Sequence, residues 1–151
     1  MSDELPSLEA MNAAFRELVP HNRWLGTELI AVTFEPATAT MRLPYEARFV
    51  GNPETGVVHG GVISTLIDAC AGAAVYMRLK APVPIATLDL RVDFLKPATP
   101  GKPILCRADC FKATKNVAFI RAIAFHDDHD DPIASAAATF MISTKGKAVT
   151  V

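Results

Sequence analysis

The sequence lacks a basic excess, a paired set of cysteines and an uninterrupted apolar run of bilayer-spanning length. Lysine and arginine total 15 against 16 acidic residues, so a net charge of −1 offers no field for holding a polyanion, and nucleic acid is not an expected partner. Met1 to Glu4 carries neither the basic patch nor the apolar run of a secretory signal. The longest apolar stretch is broken by Asp68, so no membrane is expected and a cytoplasmic location is. Cys70, Cys106 and Cys110 are an odd number, as expected where thiols stay reduced. If Cys106 and Cys110 share a strand they stand roughly 13 Å apart, too far for a disulfide, and all three read as small buried hydrophobes. There is also no repeat, no low-complexity tract and no linker long enough to divide the chain, which predicts one domain over residues 1–151.

What is present is a strongly apolar chain: 50% hydrophobic residues with 21% charged excludes disorder. Leu8, Met11, Phe15 and Leu18 recur at helical spacing after Ser7, a good N-cap, and Pro20 ends the pattern, so an N-terminal helix is expected within residues 1–20. Residues 27–34 and 38–43 alternate like strands around Glu35-Pro36 and predict a hairpin. A turn-rich loop, Gly51 to Gly56, leads through Val57-Val58-His59-Gly60-Gly61 to an alanine-rich segment that predicts a core helix over 59–79. Apolar residues cover nearly every side of it, so other structure must wrap it. Four strands are expected after it, at 85–94, 103–112, 117–125 and 132–144. Their short connections require a largely antiparallel sheet. One helix across one curved sheet is an α+β arrangement that covers both.

Asp68 is the anomaly within the core helix, because aspartate is a poor helix former and a carboxylate loses water there. It needs a compensating role, structural or chemical: a wet subunit boundary, a bond to Ser64 or Thr65 one turn back, or catalysis. His59-Gly60-Gly61 places unpaired backbone N–H donors at the helix start, suited to a developing oxyanion, and glycine there permits close approach of a carbonyl. A carboxylate base and an oxyanion donor together are two needs of acyl-transfer hydrolysis. Gly60 and Asp68 are eight residues apart, about 12 Å along a helix, so one chain cannot bring both to one carbonyl. Two core helices meeting antiparallel at a twofold axis could.

The run from Gly51-Asn52-Pro53 through His59-Gly60-Gly61 to Leu66-Ile67-Asp68, and the stretch Ala86 to Ala98, resemble the phenylacetate-pathway (PaaI-type) branch of the hotdog-fold thioesterases. The likeness covers most of residues 51–144. It implies a hotdog fold, hydrolysis of a CoA thioester with an aromatic or medium-chain acyl group, and a homo-oligomer, dimer or dimer of dimers, with sites between subunits. It further implies that the Gly60 N–H polarises the carbonyl, Asp68 of the facing copy acts as general base or nucleophile, Thr87 helps place water, Asn52 orients nucleophile or substrate, and His59 holds the glycine turn. Gly61 belongs to the expected substrate-binding stretch. Seven residues separate Asn52 from His59, one more than that branch's usual pattern, and Thr87 stands where serine is common; the hydroxyl is preserved.

Several other features compete. His126 to Asp131 holds two imidazoles and four carboxylates, but its position between strands reads as a solvated acidic turn, so neither a metal nor a redox cofactor is expected. Lys112 and Lys115, with Arg91 and Lys96 near the other strand, are the candidate cations for CoA phosphates. Ser64 with His59 lacks a Gly-x-Ser-x-Gly elbow, and Cys70 points about 200° around the helix from Asp68. The rival functions are a non-catalytic acyl-CoA-binding module and an acyl-CoA dehydratase or hydratase; the latter would want a histidine facing the acid.

Overall fold

The computed structural model describes residues 5–143. Ser7 caps α1 (Leu8–Leu18), its hydroxyl accepting from the Ala10 N–H at 3.1 Å. Pro20 ends that helix as expected, but it also opens a second one, α2 (Pro20–Leu25), because proline lacks the N–H that a first helical turn leaves unused anyway. The hairpin follows as β1 (Glu28–Phe34) and β2 (Ala37–Leu43). The segment expected to be loop contains a 3₁₀ turn at Ala47–Phe49 and a small ladder, β3 (Val50–Asn52) with β4 (Val57–Val58). The core helix is α3 (Gly60–Leu79), with His59 as its N-cap. Four strands complete the chain: β5 (Ile85–Phe94), β6 (Ile104–Ala113), β7 (Val117–Phe125) and β8 (Ala134–Ile142). The last is shorter than the expected 132–144, and Thr144, like Met1 to Glu4 of the N-terminal segment, lies outside the described residues.

Among the described residues the large sheet has six antiparallel strands in the order β1-β2-β6-β7-β8-β5. The strand after the helix is therefore an edge strand, with the three later ones inserted between it and the hairpin. Ala39, Ala108, Ala122 and Ala136 are in register across β2, β6, β7 and β8, all buried. A row of methyl groups lets the sheet close on α3, whose own Ala71, Ala73 and Ala74 are fully buried. The fold is the hotdog arrangement, a long helix wrapped by a curved sheet. The same burial explains why α3, long and apolar enough to cross a membrane, is a core helix.

All three cysteines are free and buried. The Cys70 thiol donates to the Cys106 carbonyl at 3.2 Å and the Ala39 carbonyl at 3.4 Å, a packing role away from Asp68. Burial pushes the Cys106 thiol well above its ordinary pKa and raises that of Cys110.

Candidate active site

β5 runs antiparallel to α3 and packs along it. A Cβ placed on Gly72 would meet Ile85 Cδ1 at 3.6 Å, the Thr87 hydroxyl donates to Asp68 Oδ1 at 2.8 Å, and a Cβ on Gly60 would meet Phe94 Cζ at 3.2 Å. Asp68 is half-buried, and among the described residues nothing bonds its second oxygen, Oδ2. Thr65 does not compensate it: that hydroxyl donates to the Gly61 carbonyl at 2.9 Å.

Thr87 meets Asp68 because of a register shift in the β5–β8 ladder between Thr87 and Asp89. Ile85 and Thr87 face α3. With Leu88 as the extra residue the parity changes, so Leu90 and Val92 take the inward positions beyond it. Nothing in the sequence pattern marked this bulge.

The helix start is held by His59. Its own N–H donates to the Phe49 carbonyl at 2.8 Å, and its ring Nδ1 accepts from the Gly61 N–H at 2.8 Å, which places the neutral ring's proton on Nε2. Gly61 has to be glycine, since a Cβ there would lie 2.9 Å from that Nδ1. Its N–H is thus taken up by the cap, whereas the Gly60 N–H has no acceptor among the described residues. The donor left over at the helix N-terminus is the one beside Phe94. Sequence reading missed Phe94; its only signal was an aromatic residue closing a strand just before Lys96-Pro97.

Asn52 is exposed and shapes its own loop, Oδ1 accepting from the Glu54 N–H at 3.0 Å and its carbonyl from the Gly56 N–H at 2.8 Å. The Tyr45 hydroxyl pins the same loop through the Gly56 carbonyl at 2.8 Å. Lys112 and Lys115 lie elsewhere. They stand at and just beyond the end of β6, at the sheet end where the Ile142 N–H bonds the Asn116 carbonyl at 2.7 Å and the Ser143 N–H bonds Pro84 beside the start of β5. Within one chain, then, Asp68 and Thr87 come together and His59 joins Gly60 and Gly61, while the two lysines do not join either group.

The acidic turn is occupied by local bonds. His126 accepts at Nε2 from the Thr99 N–H and donates from Nδ1 to the Pro103 carbonyl, each at 2.8 Å. Lys102 pairs with Asp127 and Lys96 with Asp131. Asp128, His129 and Asp130 are exposed with ligating atoms within 4.8 Å of one another, and they too bond among themselves. Arg91 pairs with Asp93.

With this geometry the comparisons with known proteins agree. Residues 55–133 match the thioesterase superfamily. The chain belongs to that superfamily. The medium/long-chain acyl-CoA thioesterase YigI of Salmonella typhimurium is 32% identical to this thioesterase over 152 residues, 90% of this chain and 94% of that one. A crystal structure of a Pseudomonas aeruginosa protein is 38% identical with a TM-score of 0.79, covering 89% of this chain and 98% of its own. A phenylacetic acid degradation-related protein of Ralstonia eutropha is 28% identical with a TM-score of 0.72, over 83% and 96%. The thioesterase is accordingly a thioester hydrolase of the hotdog fold, and its PaaI-like resemblance extends to solved structures.

Proposed function

We propose that this thioesterase hydrolyses acyl-CoA at sites shared by two copies of the chain. The observation that carries the reading is a pair of unsatisfied groups on one helix: the Gly60 N–H and Asp68 Oδ2, two turns and about 12 Å apart. Each suits one end of the same reaction, and antiparallel pairing of two α3 helices would give one copy's donor the other copy's carboxylate. The copy needed is consistent with β5, an end strand, and with Leu88, Phe94 and Leu95, which are exposed on it or just beyond it. The reading requires at least a dimer.

In this reading the thioester carbonyl accepts from Gly60, which stabilises the oxyanion as the carbonyl carbon becomes tetrahedral. Asp68 Oδ2 either takes a proton from the attacking water or attacks the carbonyl carbon itself, giving a mixed anhydride that water then opens. The C–S bond breaks and CoA leaves as thiolate, to be protonated by solvent; the balance is thioester plus water to carboxylate, free CoA thiol and a proton. Thr87 holds the carboxylate by its other oxygen. Asn52, whose Nδ2 has no partner among the described residues, orients nucleophile or substrate, and Lys112 and Lys115, whose ammonium groups are likewise unpaired, meet CoA phosphates. No metal or redox cofactor is needed.

A free-thiol assay over aromatic and alkyl acyl-CoAs tests the reading: release of CoA with ordinary turnover supports it, and tight binding without release assigns a binding module instead. Single turnover in oxygen-18 water distinguishes the routes. Label appearing in Asp68 marks an anhydride that water opens at the Asp68 carbonyl carbon, and label confined to the carboxylate product marks attack of water on the acyl carbon.

A further inference from the structure

A cavity lies between α1 and the C-terminal end of α3, with a volume of about 330 Å³, in the range that houses a small organic ligand; neither Asp68 nor Thr87 lines it. Ala10, Ala14 and Phe15 of α1 form one side; Phe34, Tyr76 and the Pro82–Pro84 strap form the other. Phe15 and Tyr76 meet with ring centroids 5.6 Å apart. Lys80 is the charged residue of the lining among those described, and its ammonium is held by Glu35 at 2.8 Å. A space so lined recognises hydrocarbon.

Its position relative to Asp68 is set by α3. Asp68, Gly72 and Tyr76 succeed one another at four-residue intervals, so they form a single stripe that drifts by about 40° per step. Gly72, in the middle, has no side chain, and the space above it is closed by Ile85 Cδ1 and Phe140 Cε1 at 3.6 and 3.7 Å from where a Cβ would be. The other wall has the same order, since Pro84 at the cavity is followed by Ile85 over Gly72 and then Thr87 at Asp68. The cavity thus begins two turns, about 12 Å, from the carboxylate, with the end of Ile85 and the edge of the buried Phe140 ring between them.

We propose that the cavity under α1 receives the alkyl tail of the substrate, threaded from the thioester at Asp68 past Gly72 and Ile85. This rests on the acyl-CoA reading above and narrows it. A short aromatic acyl group, whose ring follows the carbonyl within a bond or two, stays beside Gly72 and never reaches the cavity; an extended alkyl chain crosses the intervening distance, about 12 Å, only beyond about ten carbons, so the cavity receives the far end of a longer chain. Burial of each methylene in such a lining adds affinity that a short acyl group lacks.

The test fills the cavity from its outer side with Ala14→Phe, a change on an exposed position of α1. The ratio of kcat/KM for hexadecanoyl-CoA to that for butanoyl-CoA should fall at least about tenfold, the effect of losing space for a methylene or more. Phe15→Leu, which opens the cavity, should move the preferred chain length upward. Calorimetry with S-hexadecyl-coenzyme A, which cannot be hydrolysed, gives a readout free of catalysis: its affinity advantage over coenzyme A should shrink in Ala14→Phe. A parent enzyme that hydrolyses acyl-CoAs, with ratio and affinity unchanged in a folded Ala14→Phe, overturns the chamber and leaves the function standing. A parent that hydrolyses none of them, yet loses S-hexadecyl-coenzyme A affinity on Ala14→Phe, overturns the function and leaves the chamber.

Discussion

The Thr87 hydroxyl donates to Asp68 Oδ1 at 2.8 Å across nineteen residues of sequence, so an edge strand of the sheet sets the rotamer of a carboxylate in the core helix. Removing the hydroxyl frees that carboxylate. Thr87→Val should lower kcat by about tenfold with a smaller change in KM, and Thr87→Ser should restore most of it, because the donor and not the shape is what acts. Steady-state kinetics of the three forms check this, and a valine variant that keeps its turnover while the serine variant loses it would point to packing alone.

Asp68→Asn preserves size and removes the base or nucleophile. Turnover should drop by about 10²-fold or more while circular dichroism and elution volume stay those of the parent. Near-normal turnover would sink the proposed chemistry.

A mixture of two inactive variants tests the shared site. Gly60→Pro deletes the free N–H and leaves Asp68 intact, and proline is tolerated at a first helical position. Each variant alone should be nearly inactive. In a hybrid with Asp68→Asn, one of the two interfaces carries both defects and the other joins an intact Gly60 to an intact Asp68. With random exchange about half the dimers are hybrid, each with one working site of two, so activity should recover to about a quarter of the parent's. Demonstrated hybrids with no recovery would separate Gly60 from Asp68.

The buried thiols make a prediction about alkaline pH. Unfolded cysteines titrate near about 8.5, whereas burial holds Cys106 and Cys110 protonated beyond their ordinary range. Above that pH the unfolded chain binds fewer protons than the folded one, so stability is whole below about 8.5 and falls as pH rises through the folded values. Urea midpoints measured from neutral pH upward should show this decline, and replacing both cysteines by alanine should flatten it. Native protein at neutral pH should leave all three thiols unmodified by a disulfide reagent until denaturant is added.

Chain-local pattern was enough for much of this molecule. Ser7 and Pro20 bracket α1, the alternation on either side of Glu35-Pro36 makes the hairpin, and the all-round apolar composition of residues 60–79 demands the wrapped core helix. The oddity of Asp68 within it, and the glycines after His59, were visible for the same reason: propensity and periodicity act over a few residues and are written in consecutive ones. Only the tertiary structure decided that β5 lies beside β8 at the sheet edge, that the bulge at Leu88 turns Thr87 toward Asp68, and that Phe94 covers Gly60. It also decided which of two adjacent N–H groups is free, since the His59 ring takes that of Gly61. Periodicity tells which face of an element is apolar, but strand order, the phase of a strand after a bulge and the donor a ring selects depend on contacts between distant residues, and those exist only once the sheet has closed around the helix.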